Sequence, residues 1–310
     1  MVSVGNLTVG GTGKTPLIGH FLQWASEQNL KVGVVSRGYG ARFEGCQVVR
    51  AGEPPVFGDE PQMLANQFPG VPIYVDPDRV RAASRLVEDH SVDLLLADDG
   101  FQHLRLKRDL DLVVMDALEP ADHYKVLPWG RARENLTALA RASHIVVTKV
   151  NLVTEEVRQG LKLVLHRQAP GVPVVEAHLV FSGLFPMLGA PSARAVALPL
   201  AGQKVLAVSG IGRPQSFAKL LEEQNVNLVE QIIFADHHNY SLKDVKRIGA
   251  EAQRLGCEAV VVTAKDAVKL QNFSPEDLGF TYLVTQVKVE LLKGAQRIYE
   301  DLHRLAGPRP

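Results

Sequence analysis

A glycine-rich segment directly follows the first apolar run of the chain, Val2 to Val4, and has the sequence GNLTVGGTGKTP from Gly5 to Pro16. Its glycines let backbone N–H groups turn toward phosphate oxygens, where side chains would obstruct them. Lys14 can reach the β- and γ-phosphates of a nucleotide, and the Thr15 hydroxyl is a ligand that Mg²⁺ accepts. The segment therefore predicts a strand–loop–helix unit that binds a nucleoside triphosphate.

The loop differs at one position from the strict pattern G-x-x-x-x-G-K-[ST], because Thr8 stands where the first glycine is expected. A helix predicted from about Pro16 to Gln28 presents the positive end of its dipole to the same anion. The residues assigned to nucleotide binding form one continuous run: Thr8, Val9, Gly10, Gly11, Thr12, Gly13, Lys14 and Thr15.

The composition is that of a globular protein with a sizeable core, since 46% of the 310 residues are hydrophobic and 22% are charged. Basic and acidic residues number 34 each, so no global basic field favours a nucleic-acid partner. Two cysteines without metal-ligand spacing fit a reducing, cytosolic setting. No apolar run approaches the roughly eighteen residues of a membrane-spanning helix, and no signal peptide follows Met1.

Short apolar runs alternate with helix-like stretches, which predicts an α/β fold with a parallel sheet. We assign residues 1–172 to a P-loop NTPase-like lobe and residues 204–279 to a smaller α/β lobe. Extended segments at 173–203 and 280–290 predict a two-stranded linker between the lobes. An amphipathic helix at about 291–310 is then able to return to the first lobe.

Two aspartates, Asp98 and Asp99, end the apolar run from Val92 to Ala97 and resemble a Walker B element. A carboxylate beside a phosphate loop can hold Mg²⁺ directly or through water. The alternative is a turn or cap carboxylate, which is common after strands. The phosphate loop upstream favours the metal role for Asp98 more than for Asp99.

Further candidate groups lie in GDEP (Gly58 to Pro61) and FADHHNY (Phe234 to Tyr240). Asp59 in the first motif is either a helix cap or a carboxylate that accepts a proton near the γ-phosphate. One imidazole of the second can help to deprotonate a substrate hydroxyl, and a solvated turn is an equal alternative. Arg131 and Arg133 either bind phosphate or belong to the plain surface.

Seven motifs together resemble the tetraacyldisaccharide 4'-kinase family, the lipid A 4'-kinases of Gram-negative bacteria. They run in family order from Ser3 to about Leu270: SVGNLTVGGTGKTP, SRGYG, GDEP, DDGFQH, GRARE, FADHHNY and TAKDAVKL. The combination of DDGFQH with this phosphate loop is far more specific than a P-loop alone.

The resemblance implies that ATP, with Mg²⁺, phosphorylates the 4'-hydroxyl of a tetraacylated glucosamine disaccharide 1-phosphate to give lipid IVA, in a cleft between two α/β lobes. It implies that Lys14 and Thr15 handle phosphates and Mg²⁺, and that Asp98 and Asp99 are metal-site carboxylates. It assigns Asp59 and His237, the first histidine of the pair, to a proton-abstracting dyad. The resemblance also implies catalytic roles for Lys14 and Asp99.

Three features depart from the family pattern. Family members usually carry an apolar N-terminal segment that seats them on the inner membrane, and this sequence lacks it. We therefore expect a peripheral protein on the cytoplasmic side of that membrane, since an acylated substrate demands an interfacial surface. Ala264 replaces the usual Glu, and Asn151 replaces a common Asp.

Two other functions share the loop. A regulatory or partitioning P-loop ATPase needs a signature lysine where this chain has Val9, and it leaves the second lobe unexplained. A small-molecule P-loop kinase or synthetase differs from the lipid kinase only in its acceptor.

Overall fold

The structure is a computed structural model that describes residues 1–41, 43–187, 202–292 and 294–307. Residues 188–201 of the predicted linker lie outside this range, as do residues 308–310 of the predicted C-terminal helix.

The strands follow the apolar runs of the sequence. In chain order they are β1 (Val2–Asn6), β2 (Val32–Ser36), β3 (Gln47–Val49), β4 (Ile73–Val75), β5 (Leu94–Asp98), β6 (Leu110–Asp116), β7 (His144–Thr148), β8 (Val174–Pro186), β9 (Lys204–Ser209), β10 (Asn227–Ile233), β11 (Ala259–Thr263) and β12 (Tyr282–Leu291).

Helices separate most of these strands. They are α1 (Lys14–Glu27), α2 (Asp59–Gln67), α3 (Arg79–Asp89), α4 (Glu155–Gln168), α5 (Pro214–Glu222), α6 (Leu242–Arg254), α7 (Ala264–Leu270), α8 (Pro275–Leu278) and α9 (Gln296–Ala306). No helix of the described ranges is long and apolar enough to cross a membrane.

The described strands form one sheet in the order β10-β9-β11-β12-β8-β7-β6-β1-β5-β2-β4-β3. Neighbours are parallel except for β3 with β4 and β8 with β12. The predicted α/β class with a parallel sheet is therefore confirmed, and the lobe boundaries stay a prediction.

The long antiparallel pair β8–β12 decides where the strand ends point. The start of β8 pairs in parallel with β7, at Val174 to Glu176, and its remainder pairs with β12. The start of β12 pairs in parallel with β11, from Tyr282 to Thr285. The carboxyl ends of the two parallel sections consequently face each other, and ligands of open α/β sheets bind at such ends.

Apolar side chains of α1 and α9 pack together on one face of the sheet. Leu17 and Phe21 belong to the same buried cluster as Ile298 and Leu302. Tyr299 contacts α1 as well, since its hydroxyl lies 2.7 Å from His20 Nε2. The last helix is thus tied to the helix that follows the phosphate loop.

Two predicted helix boundaries differ from the structure. Helix α1 begins at Lys14 and not at Pro16, because Gly13 at φ 92° ends the loop, and the first turn tolerates a proline. Helix α9 begins at Gln296 and not near 291, because Leu291 still pairs with Ala177 in the β8–β12 ribbon.

Candidate active site

The phosphate loop joins β1 to α1 and leaves the helix start open. Gly10 and Gly13 have positive φ angles of 110° and 92°, which side-chain-bearing residues rarely adopt. Gly13 caps α1 without a side-chain hydrogen bond, so the N–H groups of the first turn remain available to an anion. Lys14 is buried, and its Nζ donates to Asn6 Oδ1 at 3.1 Å.

Residues 131–133 brace the loop from outside. Val9 N donates to the Arg131 carbonyl at 2.9 Å, and Arg133 N donates to the Leu7 carbonyl at 2.7 Å. A Cβ built on Gly10 would lie 2.5 Å from Arg131 Nη2, so that guanidinium lies against the loop. The sequence left both arginines open between site and surface, and the structure brings both to the loop.

The polar side of the loop is tied to the strand ends. Thr148 Oγ1 at the end of β7 donates to the Thr12 carbonyl at 2.8 Å, and Asn6 Nδ2 donates to the Thr8 carbonyl at 2.6 Å. Thr8, Thr12 and Thr15 are all buried. These hydrogen bonds hold the loop against the strand ends.

Asp98 ends β5 and lies buried next to the loop. Its Oδ2 accepts a hydrogen bond from Ser36 Oγ at 2.9 Å, whereas its Oδ1 is buried and has no hydrogen-bond partner in the described part of the chain. Burial and the neighbouring Glu60 carboxylate raise the pKa of Asp98 to about 7. A buried carboxylate with an unused oxygen is suited to receive a cation.

Asp99 adopts a left-handed φ of 53° that turns it toward two cations. Arg133 Nη1 donates to its Oδ2 at 2.6 Å, and Lys14 Nζ lies 3.5 Å from its Oδ1. Burial alone would raise the pKa of Asp99, but Lys14 and Arg133 together lower it. Asp99 is therefore anionic and connects the loop lysine to the bracing segment.

Asp59 and His237 come from opposite sections of the sheet and meet in the cleft. Asp59 opens α2, and His237 follows β10 with a left-handed φ of 60°. His237 Nδ1 lies 3.2 Å from Asp59 Oδ2, while Lys265 Nζ lies 3.1 Å from His237 Nε2. An ammonium group can only donate, so Nε2 accepts, and we assign the ring proton of neutral His237 to Nδ1, which donates to Asp59.

Helix α7 contributes two lysines that the sequence analysis did not single out. Lys265 lies 3.2 Å from Glu60, and Lys269 lies 3.2 Å from Asp59 Oδ2. Their spacing of four residues places them on one helix face. In the sequence, the four-residue spacing of these lysines was the available signal. The signal becomes informative only when α7 is known to contact α2, where the acidic GDEP motif lies.

His238 has a different environment from its neighbour. Its ring stacks on Phe234 with centroids 4.5 Å apart, and its Nε2 lies 3.3 Å from Asp244 Oδ2. Asp244 also belongs to the capping box that begins α6 with Ser241. His238 thus contacts a helix start, whereas His237 faces the cleft.

Two adjoining clefts surround the loop. The first is polar, and its lining includes Lys14, Asp59, Asp98, Asp99, His237 and Lys265. The second is mainly apolar, and its lining includes Gly11, Thr15, Ile211, Phe217, Leu220 and Val287. Within the described ranges no group of three or more His, Cys, Asp or Glu residues is arranged to hold a metal ion. Any cation at Asp98 therefore needs ligands beyond protein carboxylates.

Other basic and amide side chains have structural partners. Arg108 pairs with Asp111 at 2.9 Å, and Arg105 lies 3.9 Å from Asp78. Asn151 forms two hydrogen bonds with the backbone of Leu179 in β8, at 3.1 and 3.0 Å. The departure at Asn151 thus fastens a turn to the β8–β12 ribbon.

A phosphate loop on a parallel sheet, facing a carboxylate–histidine pair across a cleft, places the chain among P-loop phosphotransferases. The family model described as LpxK, tetraacyldisaccharide-1-P 4'-kinase, matches residues 1–305. The chain belongs to this family and is a kinase, as its motifs indicated.

Individual relatives agree with the family model. A tetraacyldisaccharide 4'-kinase of Bdellovibrio bacteriovorus is 39% identical over 279 residues, covering 88% of this chain and 80% of the relative. One of Anaeromyxobacter dehalogenans is 36% identical over 300 residues, covering 95% and 79%. The crystal structure of LpxK from Aquifex aeolicus in complex with ATP is similar with a TM-score of 0.74 and 26% identity, covering 99% of this chain and 88% of that one.

Proposed function

We propose that this chain transfers the γ-phosphoryl group of ATP to the 4'-hydroxyl of a tetraacyldisaccharide 1-phosphate, the lipid A precursor, with Asp59 as the proton acceptor. The observation that carries the proposal is the Asp59–His237 pair, which lies in the same polar cleft as Lys14 of the phosphate loop. A hydrolytic ATPase has no need of a carboxylate–histidine pair whose histidine comes from a second section of the fold.

Asp59 is arranged to accept the hydroxyl proton through one oxygen. His237 Nδ1 and Lys269 Nζ both contact Oδ2, each at 3.2 Å, and no hydrogen bond to Oδ1 occurs among the described residues. Oδ1 takes the proton as the acceptor oxygen bonds to the γ-phosphorus and the bond to the ADP oxygen breaks. The hydrogen bond from His237 and the charge of Lys269 outweigh burial and lower the pKa of Asp59, so it is a carboxylate at neutral pH.

The phosphate loop and its cations neutralise the donor. Lys14, with its Nζ held by Asn6 and Asp99, contacts the β- and γ-phosphates, and Arg131 beside Gly10 reaches the same oxygens. Phosphoryl transfer depends mainly on alignment and charge neutralisation, so these groups supply most of the assistance.

Asp98, Asp99 and the Thr15 hydroxyl would hold a Mg²⁺ ion. The unused, buried Oδ1 of Asp98 and the raised pKa of that carboxyl indicate a position that gains from a cation. Bound there, Mg²⁺ would neutralise charge on the β- and γ-phosphates. Phosphate oxygens and water would complete the coordination, as Mg²⁺ usually prefers.

The apolar cleft suits the nucleoside of ATP. Ile211, Phe217 and Leu220 come from the section opposite the loop, and they face the same cleft as Gly11 and Thr15. Bound ATP therefore contacts both sections and draws them together.

The acylated acceptor calls for a membrane-facing surface at the mouth of the polar cleft. Trp129 is 82% exposed two residues before the loop-bracing segment, and the exposed Tyr39 ring lies 5.5 Å from the His237 ring. Exposed aromatic rings beside a lipid-kinase site favour peripheral binding to the inner membrane from the cytoplasmic side.

The test uses purified protein with ATP, Mg²⁺ and tetraacyldisaccharide 1-phosphate in mixed micelles. We expect a product heavier by one phosphoryl group, with the new phosphate at the 4'-position by NMR, and none with a 4'-deoxy substrate or after chelation of the metal. Flotation with anionic vesicles tests membrane binding separately. ATP consumption that leaves the lipid unchanged would refute the proposed acceptor.

A further inference from the structure

Lys269 is a buried cation, and its burial requires a compensating anion nearby. Its side chain is 5% exposed, and placing an ammonium group in the interior costs free energy unless an anion compensates it. The closest carboxylate oxygen is Asp59 Oδ2 at 3.2 Å, and Asp266 follows at 3.9 Å.

Asp266 is already engaged by other donors. Its oxygens accept hydrogen bonds from Thr263 Oγ1 at 2.6 Å, Tyr240 Oη at 2.9 Å and the Gly210 amide at 3.0 Å. Asp59 is consequently the principal counter-charge of Lys269.

We propose that Lys269 is a positioning residue for phosphoryl transfer: it fixes Oδ2 of Asp59, so that Oδ1 is directed at the acceptor hydroxyl. This inference rests on the proposed function, because it takes Asp59 as the proton acceptor.

One hydrogen bond and one ion pair on the same oxygen restrict the rotation of the Asp59 carboxylate. His237 approaches Oδ2 from the loop after β10, and Lys269 approaches it from α7. Without the hydrogen bond or without the ion pair, the carboxylate can turn and present Oδ2 or a mixture of both oxygens to the acceptor. Misplacement of a reacting group by about 1 Å can cost about 10²-fold in rate.

A second ion pair joins the same two helices. Lys265, one turn before Lys269, pairs with Glu60 Oε1 at 3.2 Å, next to Asp59 in the chain. The first turn of α2 therefore receives two lysines from one face of α7. Lys269 can position Asp59 only when α7 lies against α2.

The charged groups around Asp59 determine how its pKa responds to a substitution at Lys269. Lys269 and Lys265 face it from α7, His237 and Asp236 face it from the loop after β10, and Glu60 is its neighbour in α2. The charge of Lys269 lowers the pKa of the buried Asp59 carboxylate. Removing that charge therefore raises the pKa of Asp59. The acidic limb of the kcat–pH profile then moves to higher pH.

The experiment compares Lys269→Met, Lys269→Arg and, as a matched control, Lys162→Met, which removes a lysine–carboxylate pair of 3.0 Å outside the site. We expect Lys269→Met to lower kcat about 10- to 100-fold with little change in the KM for ATP, and to shift the acidic limb upward. Lys269→Arg restores much of kcat, and Lys162→Met resembles the unmodified protein. Thermal unfolding confirms that each variant is folded at the assay temperature.

A double-mutant cycle separates positioning from general damage. In the Asp59→Asn background, Lys269→Met is expected to change kcat less than about threefold, because the group that it positions no longer accepts a proton. Equal losses in both backgrounds, or an unchanged kcat and pH profile for Lys269→Met, would overturn the role of Lys269 alone. An unmodified protein that produces no phosphorylated lipid would overturn the proposed function as well.

Discussion

His237 Nδ1 lies 3.2 Å from Asp59 Oδ2, although 178 positions of sequence separate the two residues. Asp59 begins a helix beside the phosphate loop, and His237 follows a strand of the opposite parallel section. The β8–β12 ribbon brings their strand ends face to face. The proposed activation of the acceptor therefore uses residues from both sections of the sheet, while the phosphate loop belongs to one.

Loss of either partner in this pair is expected to damage chemistry more than binding. Asp59→Asn and His237→Ala should each lower kcat about 10²- to 10⁴-fold, the usual range for general acid–base assistance, with smaller changes in the KM for ATP. Steady-state assays of lipid phosphorylation measure both constants.

His238→Ala serves as the matched control within the same motif. Because His238 stacks on Phe234 and contacts Asp244, we expect a lower thermal midpoint and a kcat within about threefold of the unmodified protein. A larger loss of kcat for His238→Ala than for His237→Ala would reverse our assignment within the pair.

Lys14→Ala removes the phosphate-loop cation that lies 3.5 Å from Asp99. We expect a drop in kcat of about 10²- to 10³-fold, comparable to the loss of one preorganised donor at a developing charge. Lys243→Ala, at an exposed position of α6, is the control and should leave kcat unchanged. Near-normal turnover by Lys14→Ala would contradict a phosphate role for this lysine.

Gly10→Ala tests the close approach of the loop to its bracing segment. The new Cβ would meet Arg131 Nη2 at 2.5 Å, so that guanidinium must move, and a φ of 110° strains any residue that carries a side chain. We predict at least a tenfold loss in kcat/KM for ATP, since misplacement of reacting groups is costly. The control Gly160→Ala adds a methyl group in α4 with no atom within 4 Å and should be neutral or slightly stabilising.

The contact between α1 and α9 predicts a pH dependence of stability. Burial lowers the pKa of His20, against smaller opposing contributions from Val289 and Glu27, so the folded protein prefers the neutral ring. This contribution to the free energy of unfolding is present above about pH 6.5, the unfolded value, and is lost as pH falls toward the lower folded pKa.

Urea unfolding at pH 8, 6 and 5 measures this slope. His20→Gln, which does not titrate, should show a smaller decrease in the free energy of unfolding between pH 8 and 5 than the unmodified protein. An identical slope in both proteins would remove His20 as the source.

The sequence predicts those parts of the site whose residues are close together in the chain. The loop from Thr8 to Thr15 and the strand-end position of Asp98 follow from neighbouring residues alone. The meeting of Asp59 with His237 came only from family resemblance, because no local pattern joins residues so far apart. The two histidines are equivalent in the sequence pattern, and only their surroundings in the structure distinguish them.

The placement of the two α7 lysines in the site could not be predicted from the sequence. Lys265 and Lys269 stand in a seven-residue helix whose periodicity is too short to indicate which face is buried. Their counter-charges, Glu60 and Asp59, lie about two hundred residues earlier. The parallel sheet, in contrast, was predictable because its strands are buried on both faces and form continuous apolar runs.

The most direct measurement follows ADP and phosphorylated lipid in the same reaction, with the unmodified protein and with Asp59→Asn. We predict one 4'-phosphorylated lipid for each ADP formed, and a parallel loss of both products in the variant. ADP that accumulates without phosphorylated lipid, at a rate that Asp59→Asn leaves unchanged, would contradict a kinase in which Asp59 activates the acceptor hydroxyl.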